Sequence, residues 1–556
     1  MKKPRSKLRT LGRWAGGLAL ALVAIVLFAG LVLWRCLPVP PALPEDRAIE
    51  RLAPEHRDGK VFLGRNWFCK REGLNVLYLT GTPFEMGYAN GVLTQDLIRR
   101  QEDTLLDLIR TFVPNRWVQR LMTAMVVFEN RHLPEHITPD LQMEIFGVTR
   151  GCPDFHPEVG PYYARVLGYH GAQDVSYMMM NSPLIRGGCT AFAAWGSATT
   201  NGHLLTGRNF DWEAAPVFDE DRVLVLCEPA GGIPFVSLSW AGMAGCVSGM
   251  NREGLSITAN GAPSHLPGSA RTPTCLVARE VLEHARTLAE AIEIIRRRQV
   301  FVSALFLVGS RRDGRFVVVE KTCTRTAVRE ESVLPFLVNA NHYLTPELKD
   351  DPINLTYLRA DTSVSRDRCA RELLAAAPGG LDAGRGIALL RDRRLPGGVF
   401  AGNGHRGTLN PLIATHAVFM DLTDGLFWAA CPPHQLGRFL AFDVQHMDRE
   451  LPGLTVAADP MLASGEYARY QASQAALERG WKALRRRDGT QAVACARSAE
   501  ELNPGFYRNA WLLGEALLAQ GDPAAARTAL EAALRGRPAL ASETKRIEAL
   551  ARGLPP

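Results

Sequence analysis

Gly187-Gly188-Cys189-Thr190-Ala191-Phe192, followed by Gly202 and then by Thr206-Gly207-Arg208-Asn209-Phe210-Asp211-Trp212, is the stretch on which the reading of this 556-residue chain turns. A cysteine preceded by two glycines has a backbone that can enter tight turns at little steric cost. Thr200–His203 reads as a turn, so a strand that begins at Cys189 can fold back along itself as a hairpin. That hairpin brings Arg208 and Asp211 back beside Cys189. A guanidinium there favours the thiolate, and a carboxylate can hold a nearby ammonium through charge-assisted hydrogen bonds. On spacing alone, a buried structural cysteine next to an ordinary Arg–Asp pair fits nearly as well.

Outward from this stretch, the texture is that of an α+β core. Val61–Gly81 alternates as a strand does, and Gly81–Gly91 reads as a turn feeding a helix, with helical patterning continuing to about Arg131. From Ala191 to Glu331, short β-branched and aromatic runs are broken by Gly, Asn and Asp. Asp313-Gly314 between two such runs is a hairpin signal, and Asp424-Gly425 joins a later pair, Thr415–Asp421 and Leu426–Ala430. Cys275–Arg298 has helical periodicity with no Gly or Pro. Hairpins interleaved with helices point away from a repeating βα pattern.

The two ends differ from this body. Residues 1–35 hold seven basic side chains (Lys2, Lys3, Arg5, Lys7, Arg9, Arg13, Arg35) and no acidic one. Removing them from 64 basic and 57 acidic residues leaves 57 against 57, so the net charge of +7 belongs to the head and gives no reason to expect a nucleic-acid partner. The basic head meets Ala15–Trp34, twenty uncharged residues, long enough as a helix to cross a bilayer of about 30 Å. No small-x-small cleavage site follows. The expectation is a single-pass membrane anchor over 1–36 with a cytoplasmic N-terminus and an extracytoplasmic (periplasmic) catalytic body, followed by a Pro-rich tether over 37–60. At the other end, Gly480 and Gly514, Asp488 and Asp522, Ala492 and Ala526, Ala499 and Ala533, and Pro504 and Pro538 each stand 34 positions apart. Period and residue types resemble the tetratricopeptide repeat over 466–556; two repeats are a short array, so this region is expected to lean on the catalytic body and to offer a surface for a protein partner. Eleven cysteines without a C-x-x-C pair give no zinc pattern.

Four stretches together resemble the cysteine N-terminal-nucleophile hydrolases, in particular the acyl-coenzyme A:6-aminopenicillanate acyltransferase group of peptidase family C45. They are the Gly187–Trp212 segment, Gly81–Gly91, Met250-Asn251-Arg252-Glu253-Gly254-Leu255 running to Asn260, and Asn339-Ala340-Asn341-His342-Tyr343. The resemblance spans about residues 60–435. It implies a four-layer αββα sandwich, a pro-segment over 61–188, a catalytic domain over 189–455, and autocatalytic cleavage between Gly188 and Cys189. It implies Cys189 as nucleophile, its freed α-amine as base, Arg208 and Asp211 as the pair that orients them, and Asn260 and Asn341 as oxyanion donors. The implied substrate is a small acylated amine or amide, with an acyl thioester admitted as donor, and no cofactor or metal is called for. His342 and His265 offer a papain-like Cys–His alternative, and a repeat-bearing scaffold on an inactive fold is the alternative from another class.

Overall fold

A computed structural model describes residues 35–171, 174, 187–213, 215–265, 270–449 and 451–554. Two sheets organise the body. The larger has eleven strands in the order β1-β2-β3-β4-β7-β8-β9-β10-β11-β12-β13. These are β1 Glu55–Arg57, β2 Lys60–Leu63, β3 Asn66–Arg71, β4 Leu74–Gly81, β7 Arg222–Pro229, β8 Phe235–Trp240, β9 Ser248–Asn251, β10 Leu255–Gly261, β11 Ala304–Ser310, β12 Arg315–Lys321 and β13 Thr326–Glu330. The smaller runs β14-β5-β6-β15-β16-β17, with β5 Gly187–Gly196, β6 Gly202–Trp212, β14 Phe336–Asn339, β15 Ala414–Asp421, β16 Leu426–Ala430 and β17 Phe439–Asp443. Neighbouring strands are antiparallel except β4 and β7, which run parallel from Asn75↔Val223 to Gly81↔Pro229.

Alternation along the strands sorts the side chains between faces. Ala191, Ala193, Val418 and Phe427 of the smaller sheet meet Val76, Leu224, Leu305 and Val318 of the larger one in a core between the sheets. The outer face of the larger sheet packs against helices α1 (Pro83–Leu93), α6 (Thr274–His284) and α7 (Leu288–Arg297). Phe192, Phe419 and Trp428 on the outer face of the smaller sheet meet α8 (Ser363–Ala375) and α9 (Ala383–Leu390). Between α1 and α6 in sequence come α2 (Gln95–Phe112), α3 (Arg116–Glu129), α4 (Pro139–Gly151) and α5 (Tyr162–Tyr169).

The glycines of Gly81–Gly91 have a packing reason. A Cβ on Gly87 would lie 1.9 Å from Glu144 O, and one on Gly91 2.5 Å from Val148 O. From the facing helix α4, a Cβ on Gly147 would lie 2.6 Å from Phe84 O and one on Gly151 2.2 Å from Tyr88 O. The two helices therefore touch backbone to backbone. Thr82 and Glu85 close a capping box at the start of α1, and Pro83 occupies its first turn.

Residues 466–554 form five helices: α10 (Glu466–Arg485), α11 (Gly489–Leu502), α12 (Tyr507–Gln520), α13 (Pro523–Arg535) and α14 (Ala541–Arg552). Gly480 of α10 receives Leu512 of α12, and Gly514 of α12 receives Leu530 of α13, so each of the two glycines 34 positions apart makes room for a leucine of a later helix. The region is docked on the body. Asn403 N–H donates to Asn503 Oδ1 (2.8 Å), Asn503 Nδ2 donates to Asn403 O (2.9 Å), and Arg393 pairs with Glu466 at 2.8 Å.

Two expectations need correction. The fold class, expected as a four-layer αββα sandwich with a transmembrane helix, is corrected to a mixed α/β arrangement of two large, unequal sheets with a C-terminal helical region, because the described residues hold no helix long and apolar enough to cross a membrane. The single-pass membrane placement, with a cytoplasmic N-terminus and an extracytoplasmic body, is withdrawn. Among the described residues no helix is long and apolar enough to cross a membrane, and residues 15–34, on which that reading rested, lie outside them. The helical periodicity of Cys275–Arg298 corresponds to two helices, α6 and α7. The break at Ala285–Thr287 is marked by a capping box between Thr287 and Glu290, a start signal that apolar periodicity alone passes over.

Candidate active site

Cys189 lies in β5, paired with Phe210 of β6; Ala191 pairs with Arg208 and Gly188 with Asp211. The hairpin foreseen from the sequence therefore exists, and alternation gives its two charged residues different faces. Cys189 and Arg208 point into the space between the sheets. Asp211 and Gly188 point to the other face, toward α8. The bond between Gly188 and Cys189 is thus flanked by a thiol and guanidinium on one side and by a carboxyl on the other.

Arg208 is fully buried and held from five directions. Its Nη2 reaches Cys189 Sγ at 3.4 Å and donates to Ala259 O; Nη1 donates to Ser248 Oγ (2.6 Å) and Val247 O (3.0 Å); Nε donates to Asn260 Oδ1 (3.2 Å). The guanidinium also lies 4.5 Å from the centroid of the Phe210 ring. Among the described residues, the one partner of Arg208 able to take a negative charge is the Cys189 thiol. Burial pushes that thiol above its ordinary pKa, Arg208 pulls it back, and Asp211 pushes it up again. A desolvated cation whose fixed partners are neutral gains most when the sulfur ionises.

Asp211 is 2% exposed, and its Oδ1 has no hydrogen-bond partner among the described residues. Burial raises its pKa to about 7, against the pull of Arg366, Arg406 and Arg208. A buried carboxyl in this state is ready for a cation.

The two asparagines are at the site in different ways. Asn341 Oδ1 accepts from the backbone N–H of Cys189 (2.9 Å), while its Nδ2 donates to Gly261 O (2.8 Å) and keeps a second hydrogen. Asn260 Nδ2 donates to both Asn339 O (2.9 Å) and Ala340 O (3.0 Å), and its Oδ1 carries Arg208 Nε. Asn341 keeps one amide hydrogen without an acceptor among the described residues; Asn260 acts as the brace of Arg208 and of the segment that carries Asn341.

Sequence reasoning missed Arg366. Buried on α8, it donates from Nη1 to Cys189 O (2.6 Å) and Thr190 Oγ1 (2.9 Å), and from Nη2 to Asn341 Oδ1 (2.8 Å). A Cβ on Gly188 would stand 2.9 Å from its Nη2, so glycine before the cysteine leaves room for this guanidinium. In the sequence Arg366 is one arginine among several in Ser363–Ala375, and no local signal separates it from them. His416, also unforeseen, stacks on Phe210 with centroids 5.0 Å apart and contacts Ser248 Oγ at 3.1 Å and Arg208 Nη1 at 3.3 Å. The histidines of the papain-like alternative are engaged elsewhere. His342 Nδ1 contacts Ser363 Oγ (2.7 Å), and His265 is exposed and contacts Asp351. A group with metal-ligand atoms, His203, Asp421 and Asp424, occurs among the described residues at the opposite end of β6, where His203 Nδ1 bonds Asp421 Oδ2 (2.7 Å) and ties down the turn.

With this geometry in hand, residues 197–395 match the family described as Acyl-coenzyme A:6-aminopenicillanic acid acyl-transferase. The matched stretch holds Arg208, Asp211, Asn260, Asn341 and Arg366, and begins just after Cys189. An uncharacterized protein of Archaeoglobus fulgidus is 25% identical over 396 residues, 64% of this chain and 63% of its own length. The Dictyostelium discoideum protein dcd1B is 22% identical over 54% of this chain and 60% of its length. An N-acylethanolamine-hydrolyzing acid amidase of Caenorhabditis elegans is 21% identical over 42% of this chain and 65% of its length. The chain thus spans somewhat under two thirds of these curated relatives. Among solved structures, the Caenorhabditis elegans N-acylethanolamine-hydrolyzing acid amidase ortholog aligns over 42% of this chain and 93% of its own (18% identity, TM-score 0.31). A mutant conjugated bile acid hydrolase from Clostridium perfringens aligns over 47% and 95% (15% identity, TM-score 0.31).

Proposed function

We propose that this member of the acyl-coenzyme A:6-aminopenicillanic acid acyl-transferase family, matched over residues 197–395, cuts its own chain after Gly188 and then uses Cys189 to break or exchange C–N bonds of small acylated amines. The observation that carries this reading is the buried Arg208 guanidinium, bonded to neutral oxygens and to the Cys189 sulfur.

In the first reaction the Cys189 thiol attacks the carbonyl carbon of Gly188. The C–N bond breaks, a thioester joins Gly188 to Sγ, and the nitrogen takes the thiol proton to become the α-amine of Cys189. Water then hydrolyses the thioester, leaving a carboxylate on Gly188 and a free thiol. Arg208 favours the sulfur anion that attacks. Arg366 holds the Cys189 carbonyl, and Asn341 Oδ1 fixes the nitrogen that will leave.

Cleavage changes the charges. An α-amine with an ordinary pKa of about 7.7–8.0 arises on the nucleophile's own residue and shares a proton with the thiol. Asp211, with an unpartnered oxygen on the other side of the same bond, supplies the counter-charge of the ammonium form. The thiol attacks the substrate acyl carbon, the oxyanion receives the spare Asn341 N–H, and the amine passes its proton to the departing nitrogen. Water or an acceptor amine then resolves the acyl-enzyme.

The processed protein would have chains of 188 and 368 residues (556 − 188 = 368). The catalytic unit is read as 189–455, with the helices of 466–556 as the place for a protein partner. Terminal sequencing and mass measurement of purified protein test the reading. A new N-terminus at Cys189, absent together with activity in Cys189→Ala, is expected. Activity on amides from an uncut chain would refute it.

A further inference from the structure

A walled cavity of about 90 Å³ lies on the nucleophile's side of the smaller sheet. Trp212 forms part of its wall, on the same strand face as Phe210, the partner of Cys189, and two residues further along β6. At about 3.4 Å per residue this puts the cavity wall about 7 Å along the strand from the nucleophile. Most of the wall is apolar: Ile98 and Leu105 of α2, Val166 of α5, Phe218 and Trp240. Three polar atoms of the lining residues depart from that character. Trp212 Nε1, Glu102 Oε2 and the Tyr162 hydroxyl are buried and have no hydrogen-bond partner among the described residues. Glu102 is 3% exposed and Trp212 8%. The other oxygen of Glu102 is fully engaged, accepting from Arg165 Nε (2.7 Å) and Tyr169 OH (2.6 Å). Arg165 is shared with Asp154, so two carboxyl groups stand against one guanidinium.

An unpaired carboxylate oxygen facing an apolar cavity is costly unless a guest supplies a donor. A mostly apolar chamber on the nucleophile's side of the sheet suits the part of the substrate that stays on Sγ through both half-reactions, since the leaving amine and the incoming water or acceptor need a route to solvent. Size limits that part: a cavity of about 150 Å³ takes the six carbons of benzene, so one of this volume takes about four non-hydrogen atoms.

We propose that this cavity is the acyl-chain subsite, and that it selects a short acyl chain of about four atoms beyond the carbonyl whose far end donates a hydrogen bond, as a hydroxyl or an ammonium does. The chain's tip donates to Glu102 Oε2, and a hydroxyl tip also accepts from Trp212 Nε1. This assignment rests on the thioester reading above and names the acyl group that the reading leaves open.

The test compares 4-hydroxybutyryl, 4-aminobutyryl, pentanoyl, decanoyl and glutaryl amides of one chromogenic amine on the processed enzyme. The two donor-tipped chains are expected to exceed pentanoyl about tenfold or more in kcat/KM, mostly through KM, with glutaryl and decanoyl poorest. Trp212→Phe should reduce the hydroxyl preference alone, and Glu102→Gln both donor preferences, each read as the ratio of donor-tipped to pentanoyl kcat/KM. Because Glu102 also anchors Arg165, Trp212→Phe is the arm that remains if Glu102→Gln misfolds. Calorimetry of 4-hydroxybutyramide and pentanamide on the Cys189→Ala chain tests the cavity even if no amide is ever turned over. Tighter binding of the hydroxyl-tipped amide supports the proposal. Equal binding, pentanoyl or decanoyl as the best substrate, or variants that slow every amide by one factor would overturn it.

Discussion

In the uncut chain Asp211 should keep its proton to about neutral pH, and that can be weighed. Burial raises its pKa from 3.8 to about 7. A raised carboxyl binds its proton more tightly folded than unfolded, so its contribution to stability is intact below the unfolded value and is lost as pH rises toward the folded one. The full span, 7 − 3.8, is worth about 4 kcal/mol at 1.36 kcal/mol per unit, of which about 2 kcal/mol falls between pH 5 and 7. The assay is denaturant unfolding of Cys189→Ala at pH 5, 6 and 7, beside Cys189→Ala/Asp211→Asn. Subtracting the two removes every other titration. The single variant should lose about 2 kcal/mol more than the double between pH 5 and 7, and its infrared spectrum at pH 5 should hold a protonated-carboxyl stretch that the double lacks. In the processed protein the new ammonium should ionise Asp211 and abolish that band. Parallel pH profiles in the two variants, or no such band, would refute the argument that burial without a counter-ion governs this carboxyl.

Other substitutions separate the roles. Asn341→Ala should lower kcat about 100-fold or more, as loss of one oxyanion donor does, whereas Asn260→Ala, which frees Arg208 and two carbonyls, should also cost about 1–3 kcal/mol of stability; steady-state kinetics and unfolding on the same samples distinguish them. Gly188→Ala drives a methyl against Arg366 and should slow processing, read as the fraction of uncut chain on a denaturing gel. Arg208→Met removes the cation that offsets the raised thiol, so the rate should need a higher pH to reach its plateau, visible in the kcat/KM profile. Asn503→Ala unpairs the Asn403 backbone at the docked helices and should cost about 1–3 kcal/mol, measured as an earlier unfolding midpoint.

What could be read from the chain follows from how local each cause is. The β5–β6 hairpin was legible because its turn, its glycines and its charged pair all lie between Gly187 and Trp212. The hairpins at Asp313-Gly314 and Asp424-Gly425 were legible for the same reason, with positive φ at Gly314 and Gly425. Facing was harder: that Asp211 and Arg208 turn to opposite sides follows from strand register, which a gap of three residues determines only once β5 and β6 are known to pair. Arg366 was invisible because its contacts to Cys189 and Asn341 cross 177 and 25 positions, and a buried arginine has the same letter as an exposed one. The eleven-stranded sheet was hidden likewise, since the β4–β7 pairing joins residues that stand on either side of the proposed cut.

That parallel pairing bears on what a cut at Gly188 would produce. The upstream fragment owns β1 to β4 and the α1–α4 glycine contact, and the downstream fragment owns β7, so neither has a finished sheet of its own. The severed halves would be complementing fragments with one shared interior, each serving as the other's missing edge. Dilution should not part them, heat should melt them together, and halves made separately should recover a fold only when mixed.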